Sequence, residues 1–229
     1  MHITKPINKE IDKIVTRTLK INEIFYSIQG ETSCSGLPTV FIRLTGCPLR
    51  CGYCDTAYAF YEGTKISIAE ILHKTASYRT RYVTVTGGEP LAQKNCLDLL
   101  RLFCDEGYQV SLETSGAIGL ADVDSRVCKI VDIKTPGSGE AAKNHWDNLQ
   151  YLAATDQIKF VLCDRKDYEW AKVMLNEYRL HERCNEILFS PSHDQLEATQ
   201  LAEWILEDQL SVRLQVQLHK YLWGNIPGK

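Results

Sequence analysis

The chain has 229 residues, of which 44% are apolar and 24% are charged, and its formal net charge is −3. These are the proportions of an ordinary globular protein, and they give no reason to expect a nucleic-acid partner. No apolar stretch approaches the roughly 20 residues that a membrane helix needs, so no membrane partner is expected. Charged residues between positions 5 and 13 argue against a secretory signal.

Nine cysteines, an odd number, do not suggest a disulfide framework. They predict a protein of the reducing cytosol, so we expect a cytoplasmic location. Six of them show no ligand spacing and are predicted to be small core side chains. These six are Cys34, Cys96, Cys104, Cys128, Cys163 and Cys184.

Residues 1–18 predict a short amphipathic helix or a loose extension. Strands are predicted at 19–27, 40–44, 82–86, 110–113, 127–133, 157–162, 187–190 and 211–219. Helices are predicted after the capping box Ser67–Glu70, at 97–103, at 166–178, and after a cap at Asp194.

Short strands that alternate with helices indicate an α/β fold with parallel pairing. Eight full repeats would be crowded into this length, so the prediction is a partial (β/α) barrel of about six parallel strands. No linker divides the chain, which predicts a single domain at 19–229 after an N-terminal extension at 1–18. Polar and glycine-rich clusters follow the strands, at the ends where such folds carry their sites.

The last predicted strand alternates in polarity. Its apolar residues are Val212, Leu214, Val216 and Leu218, and its polar residues are Arg213, Gln215, Gln217 and His219. This pattern fits a strand with a site on one side, and it fits a solvent-facing edge strand equally well.

The strongest signal is a turn-rich loop that carries Cys47, Cys51 and Cys54. Thiolates select soft metals such as zinc, copper(I) or iron–sulfur clusters. A structural zinc site needs a fourth ligand, and the sequence places none nearby. Three thiolates on a four-iron cluster would instead leave one iron open to another ligand.

Two further motifs follow this loop. Asp55 and Thr56 could contact a cofactor or a hard cation, although Asp-Thr is also common in turns. Gly87-Gly88-Glu89-Pro90 follows a strand, and its glycines would let the backbone approach a ligand closely. Alone it would be an ordinary turn between strand and helix.

Together these motifs resemble the radical S-adenosylmethionine superfamily and, within it, the 7-carboxy-7-deazaguanine synthase family. The resemblance runs from about residue 21 to the C-terminus. It rests on seven motifs in the expected order: IFYSIQGE (24–31), FIRL (41–44), CDT (54–56), TGGEP (86–90), ETSG (113–116), DIKTP (132–136) and HKY (219–221).

The resemblance implies a 4Fe–4S cluster, S-adenosylmethionine and Mg²⁺ as cofactors. It implies conversion of 6-carboxy-5,6,7,8-tetrahydropterin to 7-carboxy-7-deazaguanine with loss of ammonia, a step toward queuosine and other deazapurines. The expected partners are this small pterin, a flavodoxin-like or other one-electron donor, and a second copy in a homodimer.

The resemblance also assigns roles to individual residues. Cys47, Cys51 and Cys54 would hold the cluster, and Thr56 would bind Mg²⁺. The residues expected around S-adenosylmethionine are Tyr53, Asp55, Gly88, Asp132, Ile133, Lys134, Ser190, Pro191, Ser192 and His193. Those expected around the substrate are Ile28, Gln29, Gly30, Arg43, Thr86, Glu113, His219 and Lys229.

Two alternatives remain open at this point. One is a radical activase that forms a glycyl radical on a partner protein, and the other is a non-enzymatic, zinc-stapled interaction module. The chain also departs from the family pattern, since Thr32 stands where glycine is common and Pro48 where asparagine is common.

Overall fold

The computed structural model describes residues 9–224, 226 and 228. Its strands are β1 (Thr18–Ile28), β2 (Pro38–Leu44), β3 (Thr64–Ser67), β4 (Tyr82–Gly87), β5 (Gln109–Thr114), β6 (Cys128–Ile133), β7 (Gln157–Leu162), β8 (Glu186–Pro191) and β9 (Arg213–Leu214). Its α-helices are α1 (Lys9–Val15), α2 (Ile68–Ala76), α3 (Cys96–Asp105), α4 (Arg165–Glu177), α5 (Ala198–Glu207) and α6 (Leu218–Trp223).

The strands form one sheet in the order β3-β1-β2-β4-β5-β6-β7-β8-β9. From β2 to β9 all neighbours pair in parallel, while β1 runs antiparallel to both β2 and β3. The two edges, β3 and β9, do not pair with each other within the described residues, so the barrel stays open. This confirms the predicted α/β partial barrel.

The central strands of a parallel sheet are covered on both faces. In β4 and β8 the four inner residues are all buried. Helices α2 to α5 contribute apolar faces to the same core, which includes Ile71, Leu99, Tyr168 and Leu201. Parallel pairing brings the carboxyl ends of β2 and β4 to β9 to one edge of the sheet, and the site lies at this edge.

The first helices agree with the sequence. The Ser67 hydroxyl accepts from the Glu70 amide at 3.2 Å, and the Glu70 carboxylate accepts from the Ser67 amide at 2.8 Å, which confirms the capping box of α2. In the described part of the predicted extension, α1 places Ile14 in the hydrophobic core. Residues 1–8 lie outside the described part of the chain.

One predicted helix cap was wrong, and one strand was not predicted. Asp194 does not cap α5, because that helix begins at Ala198 with Glu197 as its N-cap, and Asp194 has a left-handed φ of 64°. The strand β3 was missed, since its four residues show no alternation beyond the capping box.

The predicted strand at 211–219 is shorter than expected. Only Arg213–Leu214 pairs as β9, and the chain then turns into α6. Gln215 is buried, whereas Leu214 and Val216 are exposed, so the burial is the reverse of the polarity pattern. The Gln215 side chain donates to the Gly30 carbonyl at 3.1 Å, which draws this polar residue inward.

The six remaining cysteines match the core prediction only in part. Cys96 and Cys184 are buried, but Cys34, Cys104, Cys128 and Cys163 are half-buried. All nine are free thiols. In the described ranges, no helix combines the length and the apolarity that crossing a membrane requires.

Candidate active site

A cavity of ≈ 240 Å³ lies at the carboxyl ends of the parallel strands. The cysteine loop, the glycine-rich turn after β4 and the ends of β5 to β8 surround it, and His219 and Lys220 of α6 also line it. The geometry of parallel sheets explains this position, since the loops that follow the strands meet at one edge. The sequence motifs therefore converge on one site.

Cys47, Cys51 and Cys54 all line this cavity. The loop is anchored by backbone bonds from Gly52 to the Ser138 carbonyl at 3.0 Å and from Glu89 to the Gly46 carbonyl at 2.8 Å. Burial raises the pKa of the Cys47 and Cys51 thiols, so metal binding has to displace their protons.

The donor set fits an iron–sulfur cluster better than a single ion. Within the described ranges, no three His, Cys, Asp or Glu side chains are placed to hold one metal ion. A zinc site would need its ligands to converge on one point at about 2.3 Å from sulfur. A four-iron cluster takes each thiolate on a different iron, so its ligands stand apart around a shared space.

Gly88 lies against the cysteine loop. A Cβ atom at this position would lie 2.7 Å from the Cys47 Cβ and even closer to the Gly46 carbonyl oxygen. Gly88 also donates to the Leu44 carbonyl at 3.2 Å. The glycine is needed because the turn after β4 packs directly on the loop that presents the thiols.

Beyond the cysteines, Lys134 provides a buried positive charge. Its ammonium donates to Asp132 at 2.8 Å and lies 5.6 Å from the centre of the Tyr53 ring. Burial works against the charge, but Asp132 and Cys51 raise the pKa of Lys134 to about 12. Lys134 therefore stays protonated beside the thiols.

Two polar atoms at this end of the cavity lack partners. Within the described ranges, the Tyr53 hydroxyl and one carboxylate oxygen of Asp132 are buried without a hydrogen bond. Leaving such a group unsatisfied costs about 1–3 kcal/mol. Both residues line the cavity, so a polar ligand beside the cysteines would satisfy them.

At the opposite end, Glu113 organises a hydrogen-bonded group. Its carboxylate accepts from Gln29 at 3.1 Å and from Thr86 at 2.9 Å. Burial and the nearby Glu31 raise the pKa of Glu113. The side chain is thus held by neutral donors and keeps its capacity to accept from a ligand.

Arg43 lies beside this group on β2 and also lines the cavity. Its Nε pairs with Glu23 at 2.7 Å, and its guanidinium lies 5.7 Å from the Phe25 ring centre and 5.9 Å from that of Tyr58. Arginine recognises carboxylates through paired N–H groups, which suits this position to an acidic ligand.

Sequence reasoning missed a second set of charges. Glu31 forms an ion pair with Lys159, accepts from Gln217 at 3.0 Å and lies 3.7 Å from His219. Lys159 had a usable signal, since a lysine inside the apolar strand QIKFVL has to find a buried partner. Gln217 had no such signal in the sequence, because its contact with Glu31 depends on the turn that leads into α6.

The same turn reaches the loop after the cysteines. Gln217 donates to Asp55 at 3.1 Å, and the Lys220 ammonium lies 3.2 Å from the same carboxylate. Thr56 lines the cavity, with its hydroxyl 3.8 Å from the Cys54 sulfur. The C-terminal segment thus connects the two ends of the site.

Most residues predicted for the site lie around the cavity. These are Ile28, Gln29, Gly30, Arg43, Cys47, Cys51, Tyr53, Cys54, Asp55, Thr56, Thr86, Gly88, Glu113, Asp132, Lys134, Ser190, Pro191, Ser192, His193 and His219. Ile133 is not among them, because its side chain packs in the hydrophobic core. Lys229 lies outside the described residues.

The Glu31–Lys159 pair predicts a pH dependence of stability. Burial alone would raise the pKa of Glu31, but Lys159 and His219 lower it to about 2 from the usual 4.5. A carboxyl whose pKa is depressed by folding stabilises the protein above its unfolded pKa, and this contribution is lost as the pH falls from about 4.5 through about 2.

Replacing both partners, Glu31→Gln with Lys159→Met, should therefore flatten the decline of unfolding free energy over this pH range. Denaturant titrations at a series of pH values measure this pH dependence of the unfolding free energy. The control replaces the exposed pair Arg165 and Glu169 with glutamine and should leave the decline unchanged, since exposed pairs contribute about 0–1 kcal/mol. An equally steep decline in the first double variant would contradict the assignment.

The cysteine loop, the glycine-rich turn and the open parallel barrel define a radical S-adenosylmethionine protein, and the Radical SAM superfamily model matches residues 41–131. The 7-carboxy-7-deazaguanine synthase of Chlorobaculum tepidum is 46% identical over 210 residues, which cover 90% of this chain and 94% of that protein. The synthase of Koribacter versatilis is 41% identical over 219 residues, covering 90% and 97%. The chain therefore belongs to the 7-carboxy-7-deazaguanine synthase family.

Solved structures agree on the fold. The crystal structure of QueE from Escherichia coli superposes with a TM-score of 0.74 at 24% identity, covering 92% of this chain and 99% of that one. Streptococcus suis SuiB bound to its precursor peptide SuiA gives a TM-score of 0.55 at 11% identity, and the match covers 75% of this chain and 46% of SuiB.

Proposed function

We propose that this protein converts 6-carboxy-5,6,7,8-tetrahydropterin to 7-carboxy-7-deazaguanine with loss of ammonia. The observation that carries the proposal is a single cavity with three cysteines at one end and Arg43, Gln29 and Glu113 at the other. Its family membership supports the same reaction.

The cysteine end suits the cofactors of the superfamily. Cys47, Cys51 and Cys54 would hold a 4Fe–4S cluster, which together with S-adenosylmethionine supplies a 5′-deoxyadenosyl radical when bound. The unpaired oxygen of Asp132 and the unpaired hydroxyl of Tyr53 would receive polar groups of S-adenosylmethionine. The remaining contacts proposed for it are Asp55, Gly88, Ile133, Lys134, Ser190, Pro191, Ser192 and His193. Ile133 would contribute its backbone.

The other end suits a carboxylated pterin. Arg43 would bind the carboxylate, and Glu113 would accept from the amine and amide edge of the ring. Gln29 and Thr86 hold the Glu113 carboxylate in place. Ile28, Gly30 and His219 would complete the pocket, and Lys229 stays a proposed contact. Thr56, beside Asp55, would offer oxygen to Mg²⁺.

Wider features of the protein are proposed on the same basis. A flavodoxin-like or other one-electron donor would reduce the cluster, and the enzyme would act in the cytoplasm as a homodimer. We propose residues 19–229 as one domain, with residues 1–18 as its extension, because the nine strands that the structure describes belong to one sheet.

A turnover assay tests the function. The anaerobically reconstituted protein is supplied with 6-carboxy-5,6,7,8-tetrahydropterin, S-adenosylmethionine, Mg²⁺ and a reductant, and 7-carboxy-7-deazaguanine is measured by chromatography. We expect this product, with little free 5′-deoxyadenosine. Formation of 5′-deoxyadenosine without the deazaguanine would reject the substrate while leaving the radical chemistry intact. If the reconstituted protein were colourless and held zinc, both the proposed substrate and the radical chemistry would be wrong.

A further inference from the structure

Glu23 stands directly across the β1–β2 pair from Arg43. A β-bulge between Ile21 and Glu23 produces this register, because two residues of β1 there face one of β2. Bulges re-aim side chains next to functional sites. Cross-strand partners project from the same face of a sheet, so Glu23 and Arg43 meet beside the cavity.

The Glu23 carboxylate joins two donors through one oxygen. It accepts from the Arg43 Nε at 2.7 Å and from the Tyr58 hydroxyl at 2.8 Å. Burial and the bond to Glu23 raise the pKa of Tyr58 to about 12, so at neutral pH the phenol keeps its proton and donates. The rings of Tyr58 and Phe25 also lie close to the guanidinium. Glu23 and the two rings therefore fix the Nε end of the Arg43 guanidinium.

The other end of the guanidinium is available. Among the residues that the structure describes, none hydrogen-bonds the two terminal nitrogens of Arg43, and Arg43 lines the cavity. A carboxylate binds such a pair of nitrogens through two parallel hydrogen bonds, which demands a fixed guanidinium plane. Long side chains lose this orientation readily, because an unrestrained arginine samples many rotamers.

We propose that Glu23 and Tyr58 are positioning residues that hold Arg43 so that its free end selects a carboxylate on the substrate. This inference rests on the proposed function, since it assumes a carboxylated pterin in the cavity. Neither residue belongs to the group assigned above to cofactor or substrate. Because Glu23 neutralises much of the arginine charge, recognition depends on hydrogen-bond geometry more than on attraction alone.

Binding of two unreactive pterins tests the proposal. The reconstituted holoenzyme with S-adenosylmethionine is titrated with 6-carboxypterin and with 6-methylpterin, which lacks the carboxylate, and pterin fluorescence reports each dissociation constant. The variants are Glu23→Ala, Glu23→Gln and Tyr58→Phe. The control is Glu62→Ala, at an exposed residue of the same loop region. In the described ranges, hydrogen bonds are found only to the backbone carbonyl of Glu62, so removing its side chain breaks none of them.

We expect Glu23→Ala to weaken 6-carboxypterin binding about tenfold, because a charge-assisted hydrogen bond is lost. Glu23→Gln keeps an acceptor and should restore about half of this loss on a logarithmic scale, and Tyr58→Phe should weaken binding about threefold. Binding of 6-methylpterin should change less than about twofold in every variant. In turnover, KM for the substrate should rise while kcat is retained.

Equal weakening of both pterins would show that Glu23 and Tyr58 only support the fold, and unchanged binding of both would show that they do not position Arg43. Thermal melting of Tyr58→Phe, which keeps the ring, controls for instability. If the wild-type protein bound both pterins equally well, the proposal of a carboxylated substrate would itself be wrong. A wild-type preference that persists in all variants overturns the positioning role alone.

Discussion

Replacing Cys51 with alanine is expected to abolish both cluster binding and turnover. The thiol lines the cavity together with Cys47 and Cys54, and two thiolates cannot hold a cluster that needs three. We expect loss of the broad visible absorption of iron–thiolate bonds, of the iron and sulfide content, and of at least about 10³-fold in kcat/KM, which corresponds to about 4 kcal/mol. Iron analysis and the turnover assay measure these losses.

The matched control is Cys104→Ala. Cys104 is a half-buried free thiol on α3, outside the cavity. This variant should keep a full complement of iron and wild-type activity within about twofold, since substitutions away from a site and outside a tight core change little. If Cys51→Ala retained the cluster, or if Cys104→Ala lost it, the ligand assignment would be wrong.

Gly88→Ala is expected to have the second largest effect. The added methyl would meet the Cys47 Cβ at 2.7 Å and press on the Gly46 carbonyl oxygen, both in the cysteine loop. The backbone of the loop cannot move out of the way as a flexible side chain can. The whole loop therefore has to shift, and the three thiols lose their arrangement. We expect poor cluster incorporation and a fall of about 10²-fold or more in kcat/KM, because displacements of about 1 Å at a reacting centre cost this much.

Gly119→Ala is the control for this prediction. A Cβ at Gly119 would have nothing within 4 Å, and the residue is exposed in the loop after β5. The variant should bind iron and turn over like the wild type. Normal iron content in Gly88→Ala would mean that the turn and the cysteine loop can separate without loss, contrary to the packing described here.

The contrast between two half-buried glutamates of the site, Glu113 and Glu31, shows what sequence reasoning can reach. Glu113 was predicted because its motif ETSG (113–116) resembles the family pattern, which assigns this residue to the substrate. Glu31 lies in another motif of the same resemblance, IFYSIQGE (24–31), yet its partner Lys159 lies 128 positions later in the chain. No local pattern joins such distant residues, so the pair became visible only in the folded chain.

The C-terminal segment was the least predictable part. Alternating polarity indicated a strand at 211–219, but only Arg213–Leu214 pairs with the sheet. The contacts of Gln215 with Gly30, and of Gln217 with Glu31 and Asp55, draw polar residues toward the cavity. Tertiary hydrogen bonds here outweigh the local preference for a strand.

The sequence by itself determined the cysteine loop, its soft-metal chemistry and the open α/β barrel, because spacing and strand–helix alternation are local properties of the chain. Only the tertiary structure decided which charges face the cavity and how they pair. The pairing of Glu23 with Arg43 depends on a β-bulge, and that of Glu31 with Lys159 on strands far apart in the chain. Such contacts depend on register and long-range packing, which residue types and spacing do not specify.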